Sequence, residues 1–352
     1  MNIPLIIVTY SLLFLVSFSL LLFFYLITRR VVVQHRENTY QKKYTKIETD
    51  ILEIVTSPET DLAEKIAKRY RNQSHVLTRV LVNYTEQIEG QAKEQLEKIF
   101  NLALKEKCLR DIHSRRQIKR LKATNLFVLF SDPSETDHIV QLLNDKPIVK
   151  LVAISALSRN PTSQTLTCIF QSFVNDSLGN ARTYINIMSG LGDKIQSHVK
   201  KYLRKSLSVE KLSLLIELVG AIPLRTLYQD ILLFAEHPEK EIRIKVARAL
   251  GHMRIPASLN IMIRLSNDEA WEVRAQALKS LGKLGDTTAL EILSNALFSP
   301  FWHVRFNGGH GLASLGTPGI EQLKKIKRQK KDRYASDMAT MVLDEIIFTG
   351  EG

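Results

Sequence analysis

The sequence predicts an all-α chain: a single N-terminal transmembrane helix followed by an α-solenoid of helical pairs. Three observations carry this. Residues 2–28 contain no charged side chain, and Leu, Ile, Val and Phe dominate them. The only two tryptophans stand in matching contexts thirty-one residues apart, Trp271-Glu272-Val273-Arg274 and Trp302-His303-Val304-Arg305. No stretch keeps the period-two alternation, bounded by tight turns, that a strand reading needs.

The first element is the anchor, residues 1–28. Twenty-five helical residues extend roughly 37 Å, enough for a hydrocarbon core of about 30 Å with some tilt. A buried soluble helix would not be apolar on every face and then stop abruptly at Arg29-Arg30. A cleaved leader is disfavoured too, because the stretch is too long, no cationic segment precedes it and no small-x-small site follows. Arg29, Arg30, Arg36, Lys42, Lys43 and Lys46 come just after it. Positive charge marks the cytoplasmic side, so residues 4–28 are expected to cross the inner membrane with the N-terminus outside and the rest in the cytoplasm. Two cysteines, Cys108 and Cys168, in apolar helical contexts and without metal or redox spacing, agree with a reducing compartment.

Residues 29–114 form a juxtamembrane helical connector and N-terminal cap. Val31 to Val55 has no proline or glycine and continues the membrane helix. Ser57-Pro58-Glu59 breaks it, and Thr60-x-x-x-Glu64 opens a helix rich in early acids. Two more helices follow, His75 to Ile88 with Val76, Val80, Leu81 and Tyr84, and Gln91 to Lys107 with Leu96, Ile99, Phe100 and Leu104. Their apolar stripes require a partner. That partner is either the first solenoid layer or, as a short coiled coil, a second copy of the chain.

Residues 115–352 carry the repeats. After Arg274 come Ala277, Leu281, Gly282 and Gly285; after Arg305 come Gly308, Leu312, Ala313 and Gly316. Ile242-Arg243 is followed by Val246, Leu250 and Gly251, and Val149-Lys150 by Ala153, Leu157 and, at the turn offset, Pro161. Fainter copies start at Ile118-Lys119, Ala181-Arg182 and Val209 to Lys211, with a degenerate cap after Lys331; Leu212 to Leu224 keeps only the hydrophobic pattern. A fixed period near thirty residues means helix pairs that bury their stripes only against neighbours. The pattern from Val273 to Asp286 resembles the short bacterial HEAT-like repeat, the type also seen in phycobilisome lyases. The resemblance implies a solenoid and leaves its chemistry open.

The formal net charge is +13, distributed as +7 over residues 29–120, +1 over 121–239 and +5 over 240–352. Juxtamembrane cations suit an anchored protein beside anionic lipid. The distal charge gathers in Lys324, Lys325, Lys327, Arg328, Lys330, Lys331 and Arg333 around one acid, Asp332. This run is either a solvated helix face or a contact for an acidic partner or the anionic leaflet.

Routes to catalysis find no support. Di-iron hydroxylases built on this fold use His-Glu dipeptides, and none of the nine histidines is followed by Glu. His303 and His310 share a helix face without the carboxylate or third ligand of a zinc or iron site. His252 reads as a cation at a helix C-terminus. The glycines fall at repeat offsets, no phosphate-cradling loop or Gly-x-Ser-x-Gly elbow is present, and Gly308-Gly309-His310-Gly311 sits mid-helix where small residues admit a neighbour. Neither catalytic residue, cofactor nor metal is expected.

Arg243, Arg274 and Arg305, with Glu239, Asp268 and Asp286 around the inter-repeat turns, are expected to form a ladder between layers, a ligand-binding arginine row being the rival reading. Trp271 and Trp302 are packing caps or exposed anchors. Second helices would expose Asn260 and Ile263, Glu291 and Ser294, Gln322 and Lys325 at equivalent positions. With Lys324, Lys327 and Arg328 these are the partner-binding candidates. The function that follows is a membrane-anchored cytosolic scaffold or adaptor docking a protein partner, for example in a regulated membrane enzyme complex such as an envelope polysaccharide synthase. Nucleic-acid binding is the alternative, disfavoured by near-neutral central repeats and a basic run without aromatic interleaving beyond Tyr334; a lyase-type enzyme comes last.

Overall fold

A computed structural model describes residues 3–56, 60–130, 133–175, 181–329 and 332–349. Among these, all regular structure is helical, and the chain divides into two units, residues 1–138 and 139–352.

In the first unit α1 (Ile3–Thr56) is one uninterrupted helix of 54 residues, about 80 Å long at 1.5 Å per residue. From Leu12 to Thr39 every side chain is exposed, including Phe14, Phe23, Phe24 and Leu21. The last turns differ: Ile47, Ile51 and Ile54 are fully buried. They pack on α2 (Thr60–Tyr70), α3 (Ser74–Thr85) and α4 (Gln91–Ala103). Polar groups fix the register of that packing. The Tyr70 hydroxyl donates to Asp50 at 2.7 Å, Tyr84 to Glu48 at 2.8 Å, and Asn83 donates to Tyr44 at 2.8 Å.

The helix expected to run from Gln91 to Lys107 is two. It stops at Ala103, and α5 (Lys105–Ile112) restarts after Leu104, whose φ of −120° leaves the helical range. Phe100, Leu104, Cys108 and Ile112, on both sides of the break, are all buried in one core with α6 (Gln117–Leu129). There Phe100 stacks on Phe130 at 4.7 Å and meets Phe127 edge-on at 5.8 Å. The copy expected at Ile118-Lys119 is α6, and it belongs to this unit. Ser57-Pro58-Glu59 lies outside the described residues.

The second unit opens with α7 (Thr136–Gln141), which spans the division. Helices that begin where the sequence copies begin then alternate with second-helix partners. The former are α8 (Pro147–Leu157), α10 (Ala181–Ser189), α12 (Val209–Ala221), α14 (Lys240–Met253), α16 (Trp271–Leu284), α18 (Trp302–Ser314) and α20 (Arg333–Thr349). The latter are α9 (Ser163–Asn175), α11 (Gln196–Leu203), α13 (Tyr228–Leu232), α15 (Leu259–Leu265), α17 (Leu290–Ala296) and α19 (Thr317–Gln329). Each first helix packs on the next, α12 on α14, α14 on α16, α16 on α18, α18 on α20. Leu250, Leu281 and Leu312, equivalent by the thirty-one-residue period, are each fully buried.

Small residues set how closely these helices approach. A Cβ placed on Gly282 would lie 2.7 Å from the Gly311 Cα, and one on Gly220 would lie 2.8 Å from the Ala249 Cα. A Cβ on Gly251 would meet the Ser280 side chain at 2.4 to 2.6 Å, while Ser280 itself donates to the Ala247 carbonyl at 2.7 Å. The three pairs repeat at the same period, so α12, α14, α16 and α18 touch backbone to backbone at one level of the stack. Two of the first helices end in a left-handed residue, Arg254 (φ 51°) after α14 and Gly285 (φ 74°) after α16, and Gly316 (φ 68°) follows α18 at the same offset. The glycine turn read in the sequence is this conformation, which glycine adopts without steric cost.

Candidate docking surfaces

The arginine row closes the turns that enter each first helix. Arg243 Nη1 donates to the carbonyls of His237 and Pro238, both at 2.8 Å. Arg274 Nη1 donates to Asp268 and Glu269 at 2.7 and 2.9 Å, and Arg305 Nη1 to Ser299 and Pro300 at 2.8 and 3.0 Å. The offsets are identical, because the carbonyls leaving a second helix have no intrahelical partner and need a donor. What lies beyond each guanidinium differs. Arg243 forks onto the Asp268 carboxylate, Nε at 2.7 Å and Nη2 at 2.8 Å, with both side chains under 10% exposed. Arg274 lies over the Phe301 ring at 5.4 Å and Arg305 over Tyr334 at 5.1 Å.

The carboxylate ladder therefore has one rung of the expected kind. Asp286 instead accepts from the Thr288 amide and hydroxyl, at 2.9 and 2.7 Å, capping the turn that follows Gly285. Glu239 precedes α14, with its carbonyl accepting from Ile242. Burial alone would raise the Asp268 carboxyl; the Arg243 fork, the Ala270 N–H and the charges of Arg243 and Arg274 outweigh it and hold it below the usual carboxylate range. In all three arginines Nη1 is taken by turn carbonyls, and in Arg243 Nε and Nη2 are taken by Asp268 as well.

The tryptophans open α16 and α18. Trp271 stacks on Phe301 at 5.6 Å and lies 5.3 Å from His303. Trp302 stacks on Phe306 at 4.8 Å yet stays 48% exposed, beside exposed Phe298 and Phe301. His310 packs on Phe306 at 4.2 Å and faces Glu345 at 3.6 Å. Among the described residues no group of three or more His, Cys, Asp or Glu side chains is gathered as a metal site would require.

Of the second-helix candidates, Asn260, Glu291 and Lys325 are exposed, and Ile263 and Gln322 half-buried. Ser294 departs from the expectation of exposure: it is buried, and its hydroxyl donates to the Leu290 carbonyl of its own helix at 2.7 Å. It lies one residue from fully buried Leu293, whose methyl groups fill the space beside Gly311 of α18. Lys324, Lys325 and Arg328 project from α19 into solvent beside Glu321, while Lys327 is within 4.0 Å of Asp344 on α20. Lys330 and Lys331 lie outside the described residues. Arg333 pairs with Asp337 at 3.7 Å, and Asp332 accepts from the Ala335 amide at 2.8 Å at the start of α20.

One basic group carries no mark in the repeat motif. Arg248, His252, Arg254, Lys279 and Lys283 occupy the outer positions of α14 and α16 and the residue after α14. His252 stands in the last turn of α14, where the sequence reading placed it. Burial, then the nearby Lys283, Arg248 and Lys279 charges, hold its imidazole below the usual histidine range. The period that spaces Arg248 from Lys279, and His252 from Lys283, was the available signal.

The family model of HEAT repeats matches residues 228–297 and again 261–344. A sequence search of the curated proteins returns no match. Among solved structures, Kap95p, described in assembly with RanGDP, is similar at 11% identity over 86% of this chain and 48% of its own, with a TM-score of 0.50. Kap121p is similar at 11% identity over 86% of this chain and 41% of its own, TM-score 0.46. The CpcE–CpcF complex of phycocyanin lyase from Nostoc sp. PCC7120 is similar at 15% identity over 69% of this chain and 94% of its own, TM-score 0.33. The chain spans less than half the length of the two karyopherins, and at these identities the likeness concerns fold alone. Motif, helix pairs and family match fall on the same residues: this chain carries HEAT repeats across 228–344.

Proposed function

We propose that this protein is a docking scaffold held at the inner membrane by α1, with residues 29–114 as connector and cap and the repeats from 115 onward presenting a surface to a protein partner in the cytoplasm. The observation that carries the reading is the contrast within α1. Its apolar half, exposed from Leu12 through Val33, meets no protein surface, and α1 is the one helix among the described residues long and apolar enough to cross a membrane. Its C-terminal turns are buried in a soluble-type core. Stacked repeats supply extended surface, and the polar groups that recur with the repeat are engaged in turns and layers, which favours binding over catalysis. Kap95p, of like fold, meets a protein, RanGDP. The anchor would raise the local concentration of a captured partner without new contacts. A regulated membrane enzyme complex, such as an envelope polysaccharide synthase, is the client class this arrangement suits.

The test is fractionation and topology mapping of the full chain. The protein should sediment with membranes and resist alkaline extraction, reporters fused after residue 352 should be cytoplasmic, and replacing residues 4–28 by a polar linker should release it. Release by alkali, or a reporter read outside, defeats the proposal.

A further inference from the structure

Arg248 and Lys279 occupy the same position of α14 and α16, and so do His252 and Lys283. Within each helix the two are four residues apart, hence on one face and roughly 6 Å apart. Gly251 brings α14 against Ser280 of α16, so the two pairs form a compact array with Arg254 at its edge. A shallow cleft lined by Gly220, Gly251, His252, Arg254 and Lys283 runs beside it.

These groups are uncompensated. Elsewhere on the neighbouring helices cations have acids: Lys240 with Glu272 at 2.6 Å, Lys245 with Glu217 at 2.5 Å, Arg243 with Asp268, and Arg264 with Glu236. Among the described residues none of the five has an ion pair; Arg248 makes only a 3.3 Å hydrogen bond to Gln276. The members feel one another. Burial, followed by the charges of Lys279, Arg254 and Arg248, holds the Lys283 ammonium below its ordinary range.

The array is also bounded. One helix earlier the equivalent position is Glu217, bridged to Lys245, and one helix later it is His310, facing Glu345. A membrane surface or a nucleic acid would be met by charge spread over many layers; two layers fit something narrower. Alternate residues of an extended chain are about 6.6 Å apart, close to the spacing of the array.

We propose that the α14–α16 edge is the docking site for an extended acidic peptide segment of the partner protein, its alternate carboxylates meeting Arg248, Lys279 and Lys283. This rests on the docking reading above and names the chemistry of the partner.

The test uses the full chain in nanodiscs of neutral lipid and a fluorescein-labelled peptide of alternating glutamate and serine, followed by anisotropy at low and physiological salt. Wild type should bind, more weakly as salt rises. R248Q/K279Q/K283Q should lose affinity about tenfold or more, with its thermal unfolding unchanged, whereas K194Q/K201Q/K205Q, three exposed cations on and beside α11, should change it by no more than about twofold. Absence of wild-type binding, or equal binding by the α14–α16 variant, overturns the proposal. So does loss of sedimentation with phosphatidylserine vesicles in that variant while peptide binding persists, which would make the array a lipid contact. A cellular partner crosslinked at full yield by the α14–α16 variant overturns the site and leaves the docking reading standing; peptide binding without any cellular partner supports the site and defeats that reading.

Discussion

The second unit contains two stretches of one architecture with different sequence visibility. Helices α14 to α18 carry a motif legible by eye, whereas α8 to α12 stack in the same manner with almost none. The difference lies in what each contact demands. Between α14 and α18 the layers meet through backbone: the Gly251–Ser280 and Gly282–Gly311 contacts have no room for another side chain, and the arginine forks have fixed geometry. Few residues satisfy such contacts, so the same letters recur. In the middle the layers meet through rings. Phe170 stacks on Tyr202 at 5.2 Å and Phe173 meets Tyr184 edge-on at 5.7 Å, which many apolar residues approximate. Near the position of the arginine stands Lys211, whose Nζ donates to the Phe173 carbonyl at 2.6 Å.

Breaking a backbone-level contact should therefore cost more than breaking its counterpart in the middle. The largest effect is expected from Asp268→Ala, which leaves the Arg243 guanidinium buried and half-paired: a loss of about 3–5 kcal/mol by denaturant unfolding. Its pH signature is specific. The Asp268 carboxyl is held low in the fold, so its contribution is complete above the unfolded value near 3.9 and is lost as pH falls through the lower folded value. Asp268→Asn should flatten stability against pH in that acid range.

Next comes Gly282→Val, which forces α16 away from α18 at a site where even a Cβ falls 2.7 Å from backbone; about 3 kcal/mol is expected. Hydrogen exchange should show α16 and α18 losing protection together, and loss confined to one helix would break the comparison. Lys211→Met in the middle should cost less, about 1–3 kcal/mol for the unsatisfied Phe173 carbonyl.

The smallest effect has the opposite sign. Arg254 occupies the left-handed position that Gly285 and Gly316 fill elsewhere. Arg254→Gly should stabilise by up to about 1 kcal/mol, strain relief of roughly 1–2 kcal/mol being partly offset by the greater freedom of glycine in the unfolded chain. A loss of stability in melting experiments would mean that Arg254 makes contacts beyond its backbone conformation.

The same logic explains what was readable in advance. Helix starts at Trp271 and Trp302, the buried leucines and the continuity of α1 past Arg30 follow from spacing and composition, which report local periodicity. The break at Leu104 does not, because no proline or glycine marks it, and Phe100 beside it packs on Phe127 of a later helix and on Phe130 just after that helix. Ser294 misled for a related reason: solvent exposure on a second helix depends on how far the next first helix rolls over it, and Gly308 and Gly311 permit a close approach. The basic array on α14 and α16 was spaced by the period itself, yet surface cations are common enough that only their lack of acids in three dimensions distinguishes them.

Docking of a partner at the membrane is read most directly by photo-crosslinking of the full chain in intact cells. A photoreactive residue would be placed at Gln276, beside Arg248, and at Asn260 on α15. A discrete protein adduct should form from the repeat surface and disappear when residues 4–28 are replaced by a soluble linker. Adducts only to lipid, or a protein adduct of equal yield without the anchor, would contradict a scaffold that docks its partner at the membrane.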